Sequence, residues 1–132
     1  MKEEMKENAK IRLGDALEFL ESAKRNLEEE RYKSALLDSG DATIAANDAL
    51  TIFFLEKVAS RDHQEAFSLH KEVGRRINEN RLNLLQNLIT TRHQKGYRVV
   101  TVSKSLSEEN MRNAIKFVNW VLEKLRKEGV EV

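Results

Sequence analysis

The stretch Ser34–Ser60, SALLDSGDATIAANDALTIFFLEKVAS, constrains this chain more than any other. Set on a helix at about 100° per residue, its apolar side chains leave almost no polar face. Leu37, Ile44 and Leu55 fall on one line, Leu36, Leu50 and Phe54 on another, and Ile52 and Phe53 fill the remaining sides. Only a narrow strip through Asp38 and Glu56 suits solvent. A helix apolar nearly all round must be covered by other helices. Its small residues, among them Ser39, Gly40, Ala42 and Ala46, let neighbouring backbones come close. Asp41, Asn47 and Asp48 lie among the apolar lines, and a buried carboxylate needs a partner or an opening to water.

The rest of the chain supplies the cover. Residues 4–29 repeat Met5, Ala9, Leu13, Ala16/Leu17, Leu20, Ala23 and Leu27 at helical spacing, with charges between them. Glu28-Glu29-Glu30-Arg31 reads as a solvated corner, and Tyr32 then enters the central helix. After a short connection at Ala59–Arg61, Asp62 with Glu65 three residues on forms a capping box. It opens a third helix carrying Ala66, Phe67, Leu69/His70 and Val73, with Gly74 as its weak point or end. A fourth helix spans about 79–95, with Gly96 placed as its C′ residue. Residues 97–104 alternate like a strand, but with no second strand to pair they read as an extended loop. Ser107 with Glu108 and Glu109 then caps a last helix whose stripe runs from Met111 to Leu125, and Gly129 stops it. The expectation is an all-α fold: one domain over residues 1–132, an antiparallel up-and-down bundle of four to five helices.

Composition narrows the function. At 132 residues, with 40% hydrophobic and 34% charged positions, the chain suits one packed core with solvated outer faces. It has no proline, which disfavours a turn-rich β fold, and no cysteine, which excludes disulfides and thiolate metal sites. The start MKEEMKENAK lacks the apolar core of a signal peptide, and no apolar run approaches the roughly 20 residues of a membrane span. These features together imply a cytoplasmic protein with no membrane partner. The net charge of +1 hides a gradient: residues 1–30 carry −3, whereas residues 75–104 carry +6. That asymmetry points either to an anionic partner or to cations placed at helix C-termini.

The order of features resembles the HEPN family: a small-residue-rich second helix (SGDATIAANDALTIFFLEK), then RDHQEAFSLHKEV, LLQNLITTRHQKGYRVVTVS and SEENMRNAIKFVNWVLEKL. The resemblance implies a HEPN-like helical bundle, often a homodimer, that binds nucleotide, RNA or a protein partner. It further implies a possible toxin–antitoxin setting beside a nucleotidyltransferase partner protein. Ribonuclease members of the family carry an Arg and, about four to six residues on, a His. Arg92 matches the Arg, but Gly96, Tyr97 and Arg98 stand where the His belongs, and His93 follows Arg92 directly. The resemblance therefore favours a non-enzymatic binding module, with a metal-independent endoribonuclease as the alternative.

The candidate ligand-binding residues are Arg92, His93, Lys95, Tyr97 and Arg98, with Asp48 and His63 as a possible acid–base pair. Arg92 reads in two ways: a planar guanidinium clamp for phosphate, or an ion pair that balances Asp41 or Asp48. Asp48 and His63 likewise read either as proton-transfer groups or as a helix partner and a cap residue. Trp120 and Phe117 read as core or dimer surface. No His-x-x-x-His or Glu-x-x-His spacing occurs, so no metal and no cofactor is expected.

Overall fold

The computed structural model describes residues 2–59 and 62–132. Five α-helices follow one another: α1 (Lys2–Glu28), α2 (Tyr32–Leu55), α3 (His63–Ile77), α4 (Leu82–Thr91) and α5 (Lys104–Lys127). A single π turn, Arg92–Gly96, extends α4, and no strand occurs among the described residues. The all-α bundle expected from the periodicity is the fold observed. No helix among the described residues is long and apolar enough to cross a membrane.

The central helix is α2, which has thirteen buried residues, seven of them Ala, Gly or Ser. Its packing against α1 is the most extensive in the molecule, through Ala9, Leu13, Ala16, Leu20 and Ala23 of α1. Contacts along α2 set the direction of each neighbour. The Ser107 hydroxyl at the start of α5 donates to Tyr32 O at the start of α2, so these two helices run the same way. Arg92 lies against Gly40 and Gly96 against Leu37, so α4 and its π turn run opposite to α2. Helices α1, α2, α4 and α5 thus alternate up and down, and α3 packs along α2 from Asn47 to Phe54.

Several boundaries differ from the sequence reading, each for a local reason. The central helix stops at Leu55 because Glu56 turns into the left-handed region (φ 56°), and Lys57–Ala59 are irregular. Ser60 and Arg61, expected in the connection, lie outside the described residues. Gly74 does not end α3: it is buried inside the helix, which closes at Asn78 with φ 58°. Ser107 is not the cap of α5. Ser103 is, accepting from Leu106 N, while Ser107 is buried one turn further on. The Asp62 cap is where the sequence put it, accepting from Gln64 N at 2.8 Å. Asp38, expected to face solvent, accepts instead from Ser22 and Asn26 of α1.

Of the buried polar residues, Ser39, Thr43 and Thr51 donate to carbonyls within α2. Asn110 Nδ2 has no partner among the described residues, and Asn47, His70 and Ser107 are partnered across helices. His70 is fully buried, its Nδ1 donating to Asn47 Oδ1 at 2.9 Å and its Nε2 accepting from Arg81 N at 2.9 Å. A backbone N–H can only donate, so this fixes the neutral tautomer protonated at Nδ1. Burial pushes the imidazole pKa down to about 4, with the nearby Arg81 charge adding to the effect. The ring packs on Phe117 and Trp120, both core residues of α5. Trp120 Nε1 in turn donates to Glu79 Oε1 at 2.8 Å, and Lys124 pairs with the same carboxylate. Four helices meet at this one knot.

Candidate ligand-binding site at the π turn

Arg92 is placed by what its neighbours lack. A Cβ on Gly40 would run into Arg92 Cδ and Cγ, and a Cβ on Gly96 would run into the Leu37 side chain. Two glycines therefore let the fourth helix lie close to the second. Its last turn widens to i→i+5 bonding, so residues 92–96 are not the α-helical end with a C′ glycine that the sequence suggested.

In this seat the Arg92 guanidinium reaches Asp41, Nη2 to Oδ1 at 2.8 Å, and its Cζ lies 4.8 Å from the centre of the Tyr97 ring. The ion pair is the balancing role weighed for Arg92 in the sequence, with Asp41 rather than Asp48 as partner. Burial raises the Asp41 carboxyl above its ordinary pKa, although Arg92 pulls it the other way. Arg92 Nε is buried and has no hydrogen-bond partner among the described residues. A buried donor left in that state costs about 1–3 kcal/mol.

The other candidates surround this pair unequally. His93, Lys95, Tyr97 and Arg98 are all exposed on the turn and the loop that leaves it. The loop is held by Lys33, whose ammonium donates to Arg98 O at 2.7 Å and to Val100 O at 3.2 Å. His63, the first residue of α3, lies across from His93 with ring centres 6.3 Å apart. The five residues chosen from 92–98 and His63 are thus gathered at one end of α4.

Asp48 is not part of that group, and it does not pair with His63. Its Oδ2 accepts from Arg12 Nε at 3.2 Å and Nη2 at 3.0 Å, while burial keeps its carboxyl above the ordinary value. Asp48 and His63 meet only as walls of one cleft of about 580 Å³ between α1, α2, α3 and α4.

The basic stretch 75–104 also divides. Arg76 donates to Phe54 O, and Arg81 sits over Trp120 beside Glu79. Those two stand at the far end of α4, a helix about 15 Å long at 1.5 Å per residue. The +6 excess is therefore not one surface, and Arg92, Lys95 and Arg98 belong to the π-turn end.

Sequence reasoning missed three partners: Arg12 for Asp48, Asn47 for His70, and Lys33 for the loop. The seven-residue spacing of Asp41 and Asp48 already put both on one face, but nothing in it names which helix carries the opposing cation. Among the described residues, no group of three or more His, Asp or Glu is arranged to hold a metal ion.

A family model described as HEPN domain matches residues 9–128, nearly the whole chain. No curated protein sequence matches it.

Proposed function

Because the chain belongs to the HEPN family, we propose that it is a binding module whose π-turn end receives an anionic ligand, either RNA or a nucleotide. The observation that carries the reading is the gathering of Lys95, Arg98 and His93, all exposed, around an arginine braced by Asp41 and Tyr97. Exposed cations attract phosphates without ordering cost to the core, and the open face of Tyr97, 60% exposed, offers a stacking surface for a base. The family setting adds two partners to the proposal: a second copy of the chain and a nucleotidyltransferase of a toxin–antitoxin pair.

Fluorescence anisotropy with a short single-stranded RNA tests it. Removing Lys95 and Arg98 together should weaken binding about tenfold and lower the salt slope by about two charges' worth. Binding that ignores both salt and the double substitution would sink the reading.

A second reading rests on the two imidazoles. The family ribonucleases take their His from the same helix end as the Arg, and here that place is Tyr97. His63 and His93 bring two rings to the edge of the same turn by another route. In that reading Arg92 stabilises charge on the scissile phosphate and one histidine moves the proton, with no metal. RNA left intact after long incubation with concentrated, EDTA-treated protein removes it.

A further inference from the structure

The cleft that holds Asp48 is a different environment from the cationic turn beside it. Its walls are apolar: Ile44, Val58, Ala66 and Ile89 contribute most of them. Its polar side chains among the described residues are Asp48 and Asp62, one guanidinium, Asn47 and His63. Asp48 lies inside with its side chain 13% exposed, and Asp62 stands at the mouth. Arg12 is the only guanidinium or ammonium group among the described lining residues. It is divided between two carboxylates: Nε and Nη2 go to Asp48, and Nη1 goes to Asp15 at 3.2 Å. One positive charge thus serves two negative ones, and Asp62 adds a third that the N-terminus of α3 offsets only in part.

Among the described residues, Asp48 Oδ1 receives no hydrogen bond from the protein. A half-enclosed volume of about 580 Å³ lies within the size range of small-molecule sites. Apolar walls exclude a bare metal ion, which needs several oxygen or nitrogen ligands, and no such group exists among the described residues. Among the described lining residues carboxylates outnumber guanidinium and ammonium groups, which disfavours a phosphate.

We propose that this cleft binds a small organic cation, an ammonium or amidinium head on an apolar body. The head donates to Asp48 Oδ1 and faces Asp62, and the body lies between Ile44, Ala66 and Ile89. The cleft shares His63 with the π-turn group, but the proposal does not depend on the anion-binding reading of that turn.

Calorimetric titration of the full chain with phenethylammonium, phenethyl alcohol and hydrocinnamate, at one ionic strength, tests the proposal. The three probes share a ring and differ in head charge. The ammonium should bind about tenfold tighter than the alcohol, and the carboxylate should not bind. Asp48→Asn keeps an oxygen for Arg12 and removes the charge, so it should bring the ammonium close to the alcohol. Asp62→Asn retains the helix cap, because Asn caps as well as Asp, and should weaken the ammonium about threefold as a distant charge does. That second variant sits at the exposed mouth and leaves the core untouched, so it keeps the test open if Asp48→Asn does not fold. Equal affinity for ammonium and alcohol, no binding by either, or ammonium binding that the variants leave unchanged each overturns the proposal.

Discussion

The knot around His70 and the turn around Arg92 are built from similar residues and solve opposite problems. At His70 both ring nitrogens are engaged, one by Asn47 and one by the backbone of Arg81, and the ring is sealed by Phe117 and Trp120. At Arg92 one nitrogen holds Asp41, one buried N–H has no partner among the described residues, and four neighbours, His93, Lys95, Tyr97 and Arg98, face water. A closed polar network fixes how helices meet, because every alternative strands a buried group. An open one leaves free energy to be recovered by whatever arrives. An anion that draws the guanidinium outward would relieve the unpartnered Nε while competing with Asp41.

The largest effect should come from breaking the closed network. His70→Ala removes a fully buried ring and strands Asn47 Oδ1 and the Arg81 N–H, so it should cost about 3 kcal/mol or more in denaturant unfolding. His93→Ala, on an exposed position, should stay within about 0.5 kcal/mol. Similar losses for the two would erase the distinction between the regions.

The same network sets a pH dependence. His70 is neutral in the folded protein down to about pH 4, while the unfolded chain protonates it near 6.5. Between those values the unfolded state holds more protons, so this contribution is whole above pH 6.5 and falls away as pH drops toward 4. A shift of this size corresponds to about 3 kcal/mol. Asp41 and Asp48 act with the opposite sign, since their raised values make the folded state take up protons first as pH falls. Comparing unfolding midpoints of wild type and His70→Gln between pH 4 and 7 isolates the histidine: only the wild-type curve should carry its slope.

Next in size is the fit between α2 and the π turn. Gly40→Ala places a methyl group on Arg92 Cδ and Cγ, which should push Arg92 off Asp41 and cost about 1–3 kcal/mol. The same substitution should leave the His70 network intact, so the acid-side slope should persist in the variant. Loss of both together would mean the two regions are one cooperative polar system rather than two.

How much of this was legible in the sequence follows from what each feature depends on. The central helix, its covering stripes and the Asp62 cap are set by local spacing and were readable from it. The end of that helix at Leu55, short of the Ser60 read from the sequence, was not. The need for partners at Asp41, Asn47 and Asp48 was readable too, because burial of a polar group is itself a local inference. Which groups answer that need was not, since Arg12, His70 and Arg92 reach α2 from three different helices. The gathering of residues 92–98 is mostly a consequence of adjacency, whereas the approach of His63 to His93 depends on how α3 lies against α4. The π turn left no mark in the periodicity, and the residue that Gly96 fits closely there, Leu37, lies across the bundle. Ser103 took the cap from Ser107 for a similar reason: the later serine is drawn into the core by Tyr32 O.

The smallest expected effect sharpens the contrast most. Tyr97 touches Arg92 from the solvent side, and its ring is largely exposed. A cation–π contact in such a place is worth about 0.5–1 kcal/mol, so Tyr97→Leu should lower stability by no more than that. If Tyr97 serves the open site rather than the fold, the same change should weaken RNA by more than it weakens folding, since base stacking on an aromatic ring is worth about 1–3 kcal/mol. Urea unfolding and anisotropy on one protein sample give both numbers. A stability loss above about 2 kcal/mol would move Tyr97 to the closed side of the comparison, because only a residue that seals its neighbours costs so much.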